Sequence, residues 1–245
     1  MIGKDILSAG NSQEISMTNE WSIISTTPPL KKNEIHLWKI ELEAHLNQYS
    51  HYLTWLSEEE LVKAQRFYTQ ELKNRYVIFH GKLRQILSLY LSIHPVEIEF
   101  FYSANGKPYL KHDISFNITH SHDLAIFAIG RQRKLGVDLE CKRPIEELAH
   151  LCERFLSSQD CQEILAYPLD MRLDAFYRAW VRIEAYCKGH GGTLFDVLAT
   201  LKKENLKVAN LIDLTVCRFQ AQESYESALA YEGHIDAVRF YYPKF

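Results

Sequence analysis

The order in which two hydrophobic periods alternate along the chain limits its fold more than any other feature. Over residues 34–42 apolar and polar side chains alternate, the period of a half-buried strand. At Ser57 the pattern changes, because a hydroxyl able to cap a helix is followed by Glu58, Glu59 and Glu60, whose charges suit a helix start. Helical spacing then runs, with one or more breaks, to about residue 91, where Leu83, Ile86, Leu87 and Tyr90 form an apolar stripe. Short β-like runs follow over 97–102, 114–119 and 124–129, interrupted by a turn at Asn105-Gly106. The cycle then begins again: a strand over 135–140, helical patterns over 145–156, 158–166 and 173–189, and β-like runs in the tail, including 211–219 and 227–231. These periods predict an α+β protein of two similar halves, residues 31–133 and 134–245. An irregular extension over 1–30, ending at Pro28-Pro29, precedes them.

Composition narrows the setting. Hydrophobic residues make up 47% of the 245 positions and charged residues 24%, ordinary values for a soluble globular chain with a sizeable core. No apolar run approaches the roughly 20 residues that cross a bilayer, and Lys4, Asp5, Asn11, Gln13 and Glu14 interrupt any apolar leader. A net charge of −3 argues against a broad nucleic-acid footprint. The five cysteines form no CxxC pair, so reduced thiols and a cytoplasmic location are expected, with neither nucleic acid nor membrane as partner.

Four groups of residues carry possible chemistry. In Gly136-Val-Asp138-Leu-Glu140, side chains two apart share a strand face, so Asp138 and Glu140 point together while Val137 and Leu139 enter the core. Adjacent carboxylates repel unless a cation lies between them, and magnesium suits hard oxygen ligands. A solvated strand face is the plainer alternative. On the helix containing Trp180, Glu184 and Lys188 stack four apart, either as a surface ion pair or as a third acid and a cation for the same site. In Phe116-Asn-Ile-Thr119-His120-Ser121-His122, His120 has the chemistry to donate to a phosphate oxygen, or to hold structure. A zinc pair with His122 would need a third ligand, and no His or Cys stands nearby at metal-ligand spacing. Finally, Lys63, Arg66, Arg75 and Lys107 could clamp a polyphosphate without making the protein basic.

Taken in order, Asn-Gly-Lys-Pro, Phe-Asn-Ile-Thr-His-Ser, Gly-Val-Asp-Leu-Glu and Trp-x-x-x-Glu-Ala-x-x-Lys resemble the motifs of surfactin-type 4′-phosphopantetheinyl transferases. The likeness runs from about residue 34 to near the C-terminus. It implies a monomer of two halves related by a pseudo-twofold axis, with coenzyme A in the cleft between them. Asp138, Glu140 and Glu184 match the acids of a magnesium site. Thr119 and His120 match a phosphate-contacting pair, Lys63, Arg75 and Lys107 match basic positions near the nucleotide, and Lys188 matches the lysine that meets the pyrophosphate. The expected reaction carries 4′-phosphopantetheine from coenzyme A to a serine of an apo acyl or peptidyl carrier protein, with Glu184 as candidate base and His120 and Lys188 neutralising phosphoryl charge. Two departures stand out: Ile183 replaces the lysine that commonly precedes the helical glutamate, and Glu60 stands where some members carry a basic residue. Lys142, Arg143, Arg154, Phe155 and Leu156 suggest a docking surface for the acidic carrier.

Two other readings compete. Asp138-Leu-Glu140-Cys-Lys142 spells a string compatible with a magnesium-dependent nuclease, which leaves His120 and Glu184 unexplained. A non-catalytic relative that binds coenzyme A or a carrier protein is the reading that Ile183 motivates.

Overall fold

The protein is described from a computed structural model covering residues 16–17, 20–204 and 213–245. It is a mixed α+β fold built on two principal sheets. The first sheet joins β2 (Ser22–Ile24), β3 (Glu34–Glu41), β6 (Ile114–Ser121), β7 (Leu124–Arg131) and β11 (Ala237–Pro243), in the order β2-β11-β3-β7-β6. The second joins β1 (Ser16–Met17), β8 (Leu135–Cys141), β9 (Thr215–Phe219) and β10 (Tyr225–Tyr231), in the order β1-β9-β10-β8. A shared core lies where Ile35, Leu37 and Ile126 of the first sheet meet Val137, Leu139 and Leu229 of the second.

Each sheet supports a long helix, and a short one, α1 (Tyr49–Leu53), comes before them in the chain. The acid-rich start at Ser57 forms α2 (Glu58–Ala64), with the Ser57 side chain accepting from the Glu60 amide and Glu60 accepting from the Ser57 amide. The expected break follows, and α3 (Gln70–Leu91) begins where the Thr69 hydroxyl accepts from the Leu72 amide. It buries Val77, Ile78, Leu83, Ile86 and Leu87 against Trp38, Ile40 and Phe127. In the second half α4 (Leu148–Phe155) and α5 (Ser158–Ala166) lead to α6 (Leu169–His190), which ends on Gly191 in the left-handed conformation.

Several expectations need correction. Residues 97–102 are not one strand: a 3-10 turn covers Pro95–Glu97, and only β4 (Phe101–Tyr102) pairs, with β5 (Pro108–Tyr109). The extension over 1–30 was expected to be irregular, yet it contributes the short strands β1 and β2; residues 1–15 and 18–19 of it lie outside the described residues. Helix α7 (Leu194–Glu204) had no strong signal, since its apolar face is short. Of the 211–219 run, Leu211 and Ile212 lie outside the described residues and the strand begins at Thr215. Strand β11 pairs in parallel with β3, so the last strand of the second half completes the sheet of the first.

Candidate functional site

The site forms where the edge strands β6 and β8 of the two sheets face each other. Asn117, Thr119 and Ser121 share one face of β6 by the period of two. Asn117 Oδ1 accepts from the Val137 amide (2.8 Å), Thr119 Oγ1 donates to Asp138 (3.3 Å), and the Ser121 hydroxyl contacts both the Glu140 carboxylate (3.2 Å) and the Cys141 amide (3.1 Å). These polar side chains cover an edge that would otherwise present unpaired backbone. Asn117 and Ser121 were quoted in the sequence motif without a role; their i, i+2, i+4 spacing with Thr119 was the available signal.

Helix α6 brings the second set of groups. It lies unusually close to β8 because Gly136 has no side chain: a Cβ there would fall 1.9 Å from the Ala185 carbonyl oxygen and 2.3 Å from the Gly189 amide nitrogen. Through this contact Lys188 reaches over the seam, with Nζ 2.6 Å from Asp138 Oδ1 and 3.2 Å from Thr119 Oγ1. Asp138 is buried at 3% exposure, and its other oxygen, Oδ2, has no hydrogen-bond partner among the described residues. Burial and then the charge of Asp138 push the Glu140 and Glu184 carboxyls up from the usual range, against the opposing pull of Lys188. Three acids thus share one field.

Among the described residues, however, no three His, Cys, Asp or Glu side chains stand in a metal-ligating array. Glu184 still feels the charges of Asp138 and Glu140, and the cation paired with Asp138 is Lys188. A divalent ion nevertheless fits the chemistry of this donor set. The ligands are hard carboxylates, one buried oxygen lacks a hydrogen-bond partner among the described residues, and two of the acids are held high by burial and then by the charge of their neighbours. A zinc pair of His120 and His122 finds no third ligand, and His122 is exposed on the β6–β7 turn with φ +53°.

His120 lies on the opposite face of β6 from Thr119, packed edge-on to Phe79 with ring centroids 5.0 Å apart. It borders a cavity of about 550 Å³ together with Lys63, Arg75, Tyr76, His80 and Arg143. Burial, then the charges of Lys188, His80 and Arg75, lower its pKa. The cavity gathers cations around a histidine, which suits an anion. Arg75 is engaged by Glu43 (2.9 Å) and Glu71 (3.0 Å), and Arg66 is exposed and stands outside the cavity lining. Lys107 lies elsewhere: its ammonium donates to the carbonyls of Leu135 (2.8 Å) and Lys188, tying the Asn105-Gly106 turn to the start of β8 and the end of α6. Burial lowers its pKa to about 8. It also borders a smaller cavity, about 270 Å³, shared with Glu184 and Lys188.

The two sequence departures have structural reasons. Ile183 is 1% exposed within the core beneath α6, whereas Glu184 turns toward the seam. Glu60 is buried against Arg84 (2.8 Å) and His80 (3.2 Å). Burial alone would raise the Glu60 carboxyl, but His80, Arg84 and the Ser57 amide bring it down to about 2. Lys142 pairs with Asp174 at 3.1 Å, so it does not complete the nuclease-like string with Asp138 and Glu140. The suggested docking surface also needs revision. Leu156 is 2% exposed in the core, and Phe155 packs on Trp180 with centroids 5.3 Å apart, leaving Arg154 exposed over the Phe155 ring.

Residues 134–235 match the model of the 4′-phosphopantetheinyl transferase superfamily, and residues 41–132 match that of the 4′-phosphopantetheinyl transferase N-terminal region. The chain is 35% identical over 167 residues to the 4′-phosphopantetheinyl transferase HetI of Nostoc sp., covering 66% of this chain and 70% of that one. It is 30% identical over 142 residues to the 4′-phosphopantetheinyl transferase Sfp of Bacillus subtilis, covering 57% of this chain and 62% of the relative. It is also 30% identical over 118 residues to the 4′-phosphopantetheinyl transferase AcpT of Escherichia coli, covering 47% and 59%. The aligned part thus falls short of two thirds of the length of Sfp and AcpT. Fold, seam and matches define a group-transfer enzyme. The chain belongs to the 4′-phosphopantetheinyl transferase superfamily.

Proposed function

We propose that this chain transfers 4′-phosphopantetheine from coenzyme A to a serine of an apo acyl or peptidyl carrier protein, releasing 3′,5′-ADP. The observation that carries the reading is the meeting of Asp138, Glu140, Glu184 and Lys188 at the β6–β8 seam, beside a cavity bordered by His120, Lys63 and Arg75. Buried acids suit a metal, and the neighbouring cations suit a pyrophosphate. In this reading the protein works as a cytoplasmic monomer of two halves, 31–133 and 134–245, related by a pseudo-twofold axis.

Asp138, Glu140 and Glu184 would hold Mg²⁺, which when bound supplies charge neutralisation to the coenzyme's pyrophosphate. The serine oxygen attacks the phosphorus that carries the pantetheine arm, and the bond from that phosphorus to the oxygen of 3′,5′-ADP breaks. Glu184 takes the serine proton as the general base. His120 and Lys188 face the phosphoryl oxygens, and Lys188 stabilises or protonates the departing 3′,5′-ADP. Thr119 and the cavity residues Lys63 and Arg75 hold the coenzyme, with Arg75 exchanging its carboxylate partners for phosphate. Arg66, exposed outside the larger cavity, and Lys107, at the smaller cavity with Lys188, are the remaining basic groups for the coenzyme's phosphates.

The test is intact mass spectrometry of several apo-carrier proteins incubated with the chain, coenzyme A and Mg²⁺. A gain of one phosphopantetheine group is expected. Unchanged mass on every carrier, with coenzyme A still bound, would establish the non-catalytic reading instead.

A further inference from the structure

We propose that Lys188 and a divalent metal ion compete for the Asp138 carboxylate, and that coenzyme A completes the metal site by drawing Lys188 onto its pyrophosphate. The inference rests on the coenzyme A reading above. It starts from the geometry of one contact. Lys188 Nζ lies 2.6 Å from Asp138 Oδ1, and Asp138 is almost fully buried, so this ammonium is the counter-charge of the site's most enclosed acid. A divalent ion on either oxygen of Asp138 would stand within a few ångströms of that ammonium, where like charges repel strongly in a poorly solvated seam.

The surroundings make exchange mechanically simple. The main chain at Lys188 is tied down, since its carbonyl accepts from the half-buried Lys107 ammonium, which also donates to the Leu135 carbonyl. The Lys188 side chain itself is about a third exposed, 31%, so its ammonium can swing without moving α6. One turn earlier Glu184 feels the charges of Asp138, Lys188 and Glu140, and His120 feels that of Lys188 from the cavity side. Lys188 therefore stands beside the acids, borders the smaller cavity with Glu184, and acts by its charge on His120 of the anion-suited one. A pyrophosphate arriving there offers it a doubly charged partner and frees Asp138. Metal and coenzyme should then bind with positive coupling, each raising the affinity for the other by the same factor.

The experiment is calorimetric titration with Mn²⁺ of the full chain, with and without coenzyme A, for the wild type, Lys188→Met, Lys188→Gln and Lys188→Arg. The wild type should bind Mn²⁺ about tenfold or more tightly once coenzyme A is present. Without coenzyme A, Lys188→Met and Lys188→Gln should bind Mn²⁺ about tenfold more tightly than the wild type. Lys188→Arg, which keeps the charge, should stay within a few-fold of the wild type. Circular dichroism melts confirm that each variant is folded, and two neutral variants guard against loss of either one. Mn²⁺ affinity without coenzyme A that is unchanged or weaker in both neutral variants overturns the exchange. If the wild type still modifies a carrier protein in the mass assay, that result leaves the transferase reading standing. A wild type that modifies no carrier, while both neutral variants gain Mn²⁺ affinity, would sink the transferase reading and keep the competition at Asp138.

Discussion

Asp138 and Lys188 are 50 positions apart in the chain, and their charged atoms lie 2.6 Å from each other. The pair joins β8 to α6 across the seam, with Thr119 of β6 completing a three-way contact. Asp138→Asn keeps the shape of the side chain and removes its charge. If Asp138 holds the metal in transfer, the rate of carrier modification should fall at least about a hundredfold, as expected when a charged group that serves a metal is lost. The lysine is exposed enough to find water, so the melting temperature should move by only a few degrees. Carrier mass-shift kinetics and a thermal melt measure both; wild-type kinetics in the variant would remove Asp138 from the site.

Gly136 sets the distance on which that pair depends. A methyl group there would collide with the backbone of α6, not with the flexible end of a side chain. Gly136→Ala should push α6 off β8 and cost about 3 kcal/mol or more in urea unfolding, at the upper end of overpacking effects. Gly106→Ala is the comparison. Its Cβ would meet open space, and only the positive φ of +76° opposes it, so about 1 kcal/mol is expected. Equal losses in the two variants would show that the close approach of α6 is not what matters.

How far the sequence could be read follows from the range of each interaction. Local periods carried the shared face of Asp138 and Glu140, the opposite, core-facing Val137 and Leu139, the Ser57 cap and the α5 boundaries, because each depends on neighbours a few residues away. The polar alternation of Asn117, Thr119 and Ser121 is equally local, but no role was read from it. Its partner, β8, was not readable, because side-chain contact between two sheet edges leaves no periodic trace. The placement of β11 beside β3 and the Lys188–Asp138 contact share that property. The run over 97–102 failed for the opposite reason. Its composition favours a strand, yet pairing is confined to Phe101 and Tyr102, the Pro95 turn takes Glu97, and residues 98–100 belong to no element.

Glu60 illustrates a residue whose apparent functional departure is a packing decision. It is 6% exposed and answers Arg84, whose guanidinium also donates to the carbonyls of Pro95 and Ile98. Glu60→Lys would place a second cation beside Arg84 and strip the Ser57 amide of its acceptor. A loss of about 3–5 kcal/mol is expected, the range for breaking a buried ion pair from one side. Glu60→Gln, which keeps the capping hydrogen bond, should cost less. Urea denaturation of both variants decides it, and a Glu60→Lys protein as stable as the wild type would contradict the assignment.

His36 makes a prediction about pH that is independent of the site. Its ring is 1% exposed, with Nδ1 2.7 Å from the Tyr90 hydroxyl and Nε2 3.7 Å from Glu34. Burial lowers its pKa to about 4, against the opposing influence of Glu34. Because the folded value lies below the unfolded value of roughly 6.5, the unfolded chain binds a proton that the folded chain refuses between the two. Stability is therefore unaffected above about pH 6.5 and is lost as pH falls toward 4, by about 2–3 kcal/mol at pH 4.5. His45, lowered to about 4 by burial and by Lys82, adds loss in the same window. His36→Gln should remove the first part and leave the second. Unfolding free energies of wild type and variant, each at pH 7.5 and 4.5, isolate it: the drop on acidification should be smaller in the variant by about 2–3 kcal/mol. Equal drops would mean that the His36 ring takes up its proton as readily in the folded chain as in the unfolded one.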